Sequence, residues 1–440
     1  MHAQMRIMKT IRLKACLIAL ISLACLGAFA QADVDSPYSL FGVGQVRGNT
    51  MNVRLKAMGG VANAMSSPGM INTGNPASLA KMDSLAFLFD AGAYFKTSNF
   101  STSNKTEVGA NASFDYVAMA FGFAPWWKTA FGVQPYSTSG YKMVVDGYKE
   151  DVGSYSTVFK GSGGLNQVFW SNAFKLGKHF ALGANVYYVF GNTQSITTLY
   201  LPDSTYSIGS RRSLDMMVSS FMFDYGLMFN ANVASDMTLS VGLTYDQSVK
   251  LGGTQTLFIR SIEEDMDTEI EYLIDTVYAP DPYRAYLTMP QAFGVGVALE
   301  KNKRWCLAAD FNWTQWSHFA REGVTEDLHD SWNVALGFEY MPTYSSVSNY
   351  FRRASYRIGG FYEKGFLSLP GNDGGEHNIN KIGVTAGIAL PLPKSLSRVN
   401  LALELGQYGT REAGLIQERY LKFEVGISVF ERWFIKRKYK

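Results

Sequence analysis

At 440 residues the chain exceeds an ordinary soluble domain, yet charged residues make up only 18% of it, against roughly 25% in a typical globular protein. A net charge of +3 leaves no basic footprint, which excludes nucleic acid as a partner. Aromatic residues reach 14% while mean hydropathy is -0.05, so the apolar residues are plentiful without being gathered into long runs.

The N-terminus reads as a secretion signal. Arg6, Lys9, Arg12 and Lys14 precede an apolar stretch, Ala15 to Ala30, that is too short to span a bilayer comfortably. Ala28-Phe29-Ala30 supplies a cleavage site, so residues 1–30 are expected to leave Gln31 as the new N-terminus. A lipoprotein reading at Cys25 is open but fits poorly, because Ser22-Leu23-Ala24 precede it. Cys16 and Cys25 depart with the signal. Cys306 then remains alone, which rules out an internal disulfide.

Residues 31–83 carry turn chemistry without a lasting period, and Tyr38, Leu40 and Phe41 within them need burial. From Ser84 the chain changes abruptly to alternation, with Leu85, Phe87 and Phe89 on one face. We read 31–83 as a hatch plugging the lumen of a barrel formed by 84–440, which ends in a short basic periplasmic tail.

About fourteen strand-like segments follow the hatch. Leu239, Val241, Leu243 and Tyr245 alternate with Thr238, Ser240, Gly242 and Thr244. Segments 285–299, 304–318, 331–340, 399–406 and 421–429 repeat this, each apolar on one face and polar or tiny on the other. No later run of about 18 apolar residues exists, so a membrane would be crossed by strands, and closure is what satisfies their backbone groups. Links alternate between short (124–128, 177–179, 233–236, 300–303, 391–397) and long (143–163, 196–210, 253–284, 319–330, 366–378, 410–417), with 341–353 intermediate. Short inner turns facing long outer loops mark an outer-membrane barrel. Trp126, Trp127, Trp313, Trp316, Trp433 and Phe434 stand near strand ends, where an interfacial belt needs them. The expected fold is therefore all-β, a transmembrane antiparallel β-barrel of about fourteen strands with an N-terminal hatch, in a bacterial outer membrane.

Catalytic chemistry is hard to find. His179, His318, His329 and His377 lack metal-ligand spacing, and neither GxSxG nor a phosphate-binding loop occurs. We expect no enzyme, cofactor or metal. Glu263, Glu264, Asp265, Asp267 and Glu269 read as a solvated acidic loop, with ion or lipopolysaccharide bridging the alternative. Alternation points Asp224, Asp310, Glu339, Lys381, Glu404, Lys422 and Glu424 inward. There they would satisfy one another, tether the hatch or line a polar passage. The third strand, Thr129 to Met143, holds Gly132, Pro135 and Gly140; proline cannot donate to a ladder and glycine marks a bend.

Met58-Gly59-Gly60, followed by Gly74-Asn75-Pro76-Ala77-Ser78-Leu79-Ala80 leading into the first strand, resembles the hatch signature of the FadL/TodX family. So does Trp313 to Phe319, preceded by Met289-Pro290, and the closing segment 398–440 is similar to Bacteroidetes members. The resemblance implies an outer-membrane transporter of long-chain fatty acids or other hydrophobic compounds. In that family cargo meets the hatch and leaves sideways through an opening in the third strand, which here carries Gly132, Pro135 and Gly140. The reading that leads is passive uptake of hydrophobic small molecules by a monomer surrounded by outer-membrane lipid and lipopolysaccharide. A non-transporting barrel acting as scaffold or shuttle for secreted protein cargo is the alternative. An apolar pocket beside Asn75-Pro76 would favour uptake; a solidly filled lumen with large exposed outer surfaces would favour the scaffold.

Overall fold

The structure, a computed structural model, describes residues 35–432 apart from Asn49, Val152, 202–207, 266–269, Lys303, 344–349 and 393–396. The signal segment, Trp433, Phe434 and the basic tail lie outside the described residues.

Fourteen antiparallel strands form a closed barrel. They are β1 (Ala86–Ser101), β2 (Thr106–Ala124), β3 (Trp127–Thr138, resuming as Tyr141–Lys149), β4 (Gly153–Leu176), β5 (Phe180–Tyr200) and β6 (Ile208–Ala234). Then come β7 (Met237–Asp246 and Val249–Asp265), β8 (Ile270–Tyr278, Tyr283–Met289 and Ala292–Lys301), β9 (Trp305–Thr314 and Ala320–Arg321) and β10 (Val324–Thr325 and Ser331–Tyr340). The last four are β11 (Ser355–Lys364), β12 (Lys381–Pro391), β13 (Arg398–Gly409) and β14 (Gln417–Arg432). Pairing of β1 with β14, from Ala86 opposite Arg432 to Ser101 opposite Gln417, shuts the ring.

The two faces of the wall explain why these residues form it. Leu243, Phe293, Leu307, Leu336, Leu403 and Phe423 are exposed on the outside, while their strand neighbours Ser240, Ala308, Asp310, Ala335, Ala402 and Glu424 are buried within. An exposed apolar band of that extent is stable only against lipid. On its outer rim Tyr225, Tyr245, Phe293 and Trp313 stack in a row across β6 to β9, with ring centroids 6.4, 5.0 and 5.9 Å apart. Trp126, Trp127 and Phe174 stack at the opposite end, 6.2 Å apart. Trp316 departs from the expected belt: it is 7% exposed and stacks on Phe366 at 4.3 Å, inside the outer mouth.

Several connections expected as long loops are strands instead. Tyr141–Lys149 pairs with 153–161, and 259–265 pairs with Ile270–Tyr278. These hairpins stand beyond the bilayer with both faces wet, so no apolar face imprints a period on their sequence. β8 breaks at Pro290, which has no N–H to give a neighbour.

The facing makes a direct test. Leu403 points outward from the middle of β13, whereas Glu404 accepts a bond from the Tyr420 hydroxyl at 2.6 Å within. Leu403→Arg is expected to cost about 2–4 kcal/mol of barrel stability in urea titrations, while Glu404→Gln keeps an acceptor and folds. Equal tolerance of the two would refute the assignment.

Candidate functional site

Residues 35–83 run inside the ring and touch strands all around it. Two short turns organise them. Asn52 caps the one-turn helix Val53–Lys56 by accepting from the Arg54 N–H at 2.8 Å. Asn75 caps the 3-10 turn Pro76–Lys81 by accepting from the Ala77 N–H at 3.0 Å. Between them Gly59 and Gly60 take φ of +75° and +86°, conformations that a side chain would strain.

Along one arc this segment is seated on bare backbone. Asn75 Nδ2 donates to the carbonyls of Asn63 (2.6 Å) and of Leu227 in β6 (3.3 Å). A Cβ on Gly226 would stand 2.2 Å from Asn75 Oδ1, and one on Gly183 of β5 would stand 2.3 Å from the Ala77 nitrogen. On Gly242 of β7 it would lie 1.8 Å from the Asn63 carbonyl oxygen. The same contact recurs at Gly337 and Gly359 against Met58, at 2.4 and 2.2 Å. Met58, Gly59, Asn75, Pro76 and Ala77 thus press on the wall, whereas a Cβ on Gly60 would meet nothing within 4 Å. Sequence reading took the inward glycines merely as a tiny face; they are seats for another stretch of backbone.

Along the other arc the segment is held by charge. Arg54 forks onto Glu339 of β10, with Nε at 3.0 Å and Nη2 at 2.7 Å, and Arg357 of β11 reaches the same carboxylate at 2.5 Å. Lys56 bridges Asp115 and Glu424, the latter at 3.3 Å, and Lys422 also meets Glu424 at 2.5 Å. Ala62 and Asn63 donate their N–H groups to Asp310 at 2.5 and 2.8 Å. Of the remaining inward residues, Lys381 is 4.0 Å from Glu404, with its ammonium over the Phe361 ring, and does not reach the segment's own charges. Asp224 sits opposite Asn185 on β5 and Asp246 on β7. Arg47, Arg54, Lys56, Asp115, Arg357 and Asp90, which accepts from the Asn52 amide of the inner segment and from the Tyr116 hydroxyl of β2, had not been singled out from sequence. For Arg47, Arg54 and Lys56 the signal is an imbalance, since residues 36–82 contain four Lys or Arg and no Asp or Glu.

At β3 the wall changes partner. The β2–β3 ladder stops at Val117 opposite Val133, two residues before Pro135. Above that point the freed edge of β3 takes the inner segment: Gln45 and Val46 pair with Thr138 and Ser137, and the Arg47 N–H donates to the Tyr136 carbonyl at 2.9 Å. The Asp35 and Ser36 N–H groups both donate to the Gly140 carbonyl, at 2.7 and 3.2 Å. Burial works against the Asp35 carboxylate, but Lys96, the Thr138 hydroxyl and Arg47 outweigh it and hold its pKa below the usual value. Pro135 itself pairs with Asn166 of β4, with a bulge following. Gly132 lacks a side chain where one would meet the Val117 carbonyl at 2.3 Å and the Phe169 ring at 2.8 Å.

The BamG family model matches residues 12–440. The chain belongs to the BamG family. No curated protein matches it in sequence. Among solved structures, the toluene transporter TbuX of Ralstonia pickettii is similar in fold, with TM-score 0.58 at 14% identity over 88% of this chain and 100% of that one. The toluene transporter TodX of Pseudomonas putida gives TM-score 0.53 at 16% identity, covering 90% of this chain and 100% of its own. A FadL homologue of Pseudomonas aeruginosa gives 0.55 at 11%, covering 89% and 100%. This BamG-family chain therefore has the fold seen in outer-membrane hydrocarbon and FadL-type channels, and these neighbours are channels, not enzymes.

Proposed function

We propose that this chain is an outer-membrane scaffold or shuttle barrel for a protein partner, built on a hydrophobic-channel fold whose lumen is closed. The observation that carries this reading is the fit of residues 57–77 onto wall glycines from Gly183 to Gly387, with backbone meeting Gly183, Gly242, Gly337 and Gly359 directly and the Asn75 and Ala57 side chains meeting Gly226 and Gly387. Among the described residues the apolar space of about 680 Å³ lies along β5 to β9, bordered by Leu243, Phe293 and Phe311, which are exposed on the outer face of the wall. The cavity between residues 39–44 and the outer parts of β4 to β8 holds about 50 Å³, whereas an apolar cavity that takes up benzene is about 150 Å³. On the outside, strands of β6 to β8 rise well past the aromatic row and expose Met217, Phe221, Leu273 and Val277.

A second reading, passive uptake of hydrophobic small molecules, is supported by the fold's transporter neighbours and by the end of the β2–β3 ladder beside Pro135. Under it, cargo leaves through the wall above Val133 once residues 35–47 withdraw.

One comparison separates the two. In proteoliposomes, the chain is expected to admit labelled toluene and long-chain fatty acid no faster than empty vesicles, and to migrate from native membranes in a complex larger than itself. Accelerated entry of either compound, abolished by Pro135→Val in a correctly folded barrel, would replace the scaffold reading with uptake.

A further inference from the structure

Among the described residues, the outer hairpin shared by β7 and β8 leaves one strand edge without a ladder. Val249–Asp265 is paired on both sides: β6 covers one edge from Gly253 to Glu263, while Tyr283–Met289 and then Ile270–Tyr278 cover the other. Among the described residues Ile270–Tyr278 is in register with Val249–Asp265 alone, and Tyr283–Met289 pairs with Val249–Asp265 and Ala320–Arg321. Neighbouring residues of a strand point to opposite faces, and Tyr272 and Leu273 are 53% and 58% exposed, so both faces of it are open. The Thr276 N–H is taken by the Asp275 carboxylate at 2.7 Å, a bond to its own neighbour where a strand would otherwise accept.

We propose that this edge docks an extended segment of another polypeptide, one in which apolar residues alternate with lysine or arginine. The proposal rests on the scaffold reading and supplies its partner class. A row of open N–H and C=O groups with apolar side chains on both faces is completed along its length by a strand. Charge selects which strand: Ile270–Tyr278 carries Glu271 and Asp275 and no basic residue, and Glu263, Glu264 and Asp265 end the strand beside it. A second copy of this chain fits badly. Antiparallel pairing centred on Leu273 would set Glu271 of one copy opposite Asp275 of the other, like charges across a ladder. Lipid is not the occupant either, because the edge stands at the end of a strand of seventeen residues, at roughly 3.3 Å each, beyond the aromatic row.

The test uses the full chain in nanodiscs and two synthetic nine-residue peptides, one alternating valine with lysine and one alternating valine with glutamate. The lysine peptide is expected to slow hydrogen exchange of the 270–278 amides by about tenfold, with the effect weakening as salt rises. The glutamate peptide should leave exchange unchanged. Ile274→Pro, which removes a backbone donor from this strand, and Ile274→Lys, which opposes a basic partner, should each abolish the slowing while the barrel stays heat-modifiable. Slowing by neither peptide, or by both alike, overturns the proposal; slowing that grows with protein concentration alone would assign the edge to self-association and overturns it too. Native electrophoresis separates this from the parent reading. If Ile274→Pro remains in a complex of wild-type size, docking by this edge is refuted and the scaffold stands; if the wild-type chain migrates alone, the scaffold itself fails.

Discussion

Gly242→Val is expected to drive residues 35–83 from their seat while leaving the barrel closed. The added Cβ would stand 1.8 Å from the Asn63 carbonyl oxygen and 2.9 Å from Asn75 Nδ2, so backbone has to move and no rotamer change relieves it. The wall cannot yield easily, because β7 is bonded to β6 and β8 along ten residues. The inner segment can, since its hold here is a few side-chain bonds: the Asn75 amide to Leu227, the Asn63 amide to Asn312 and Val295, and the two N–H groups of Ala62 and Asn63 to Asp310. Overpacking of this kind costs about 1–3 kcal/mol when it can relax, and losing those bonds adds to it. In the variant, limited proteolysis should cut between residues 60 and 75, and ion conductance should rise. Gly252→Val is the control, because nothing lies within 4 Å of a Cβ there. Wild-type protease resistance in Gly242→Val would mean that the segment is not seated by the glycines.

How much of this could be read beforehand follows from what each face has to satisfy. The bilayer demands apolar residues outside and permits anything small or polar within, so Trp332, Val334, Leu336, Phe338 and Tyr340 announced the Ser331–Tyr340 part of β10 with its observed bounds. The Tyr141–Lys149 strand was invisible for the opposite reason. Val144 and Val145 are adjacent and both exposed, so no single face stands out. Trp316 misled because an aromatic at a strand end is equally suited to a belt and to a capped lumen; its partner Phe366 lies fifty residues away.

The site was legible in its pieces and opaque in its pairings. Asn75-Pro76 signals a capped turn by chemistry alone, whereas the three strands it rests on share no local pattern with it. Gly183, Gly226 and Gly242 align only once the β5–β6–β7 register sets 183 opposite 226 and 226 beside 244. The charge imbalance of residues 36–82 was readable. It points to acidic wall residues in general, without saying that Glu339 takes Arg54 and Asp115 takes Lys56.

Loss of Glu339 is expected to cost more than loss of any partner it holds. Its carboxylate joins three elements: Arg54 from the inner segment, Arg357 across the ladder from it, and through Arg357 the Asn400 side chain of β13 at 2.9 Å. The Arg357 side chain is 1% exposed, so water cannot replace the carboxylate. Glu339→Leu leaves the buried Arg357 guanidinium facing the partly buried one of Arg54, and breaking a buried pair from one side costs about 3–5 kcal/mol. Arg54→Met removes one cation and keeps the Glu339–Arg357 pair, so a smaller loss, on the order of 1–2 kcal/mol, is expected. Because both act on one carboxylate, the double variant should be destabilised by clearly less than the sum. Urea titration of the heat-modifiable form measures all three, and protease sensitivity of residues 35–83 reports whether the inner segment loosens first. A Glu339→Leu barrel with wild-type stability and a protected inner segment would show that charge does not hold this arc, leaving the glycine seats alone to retain it.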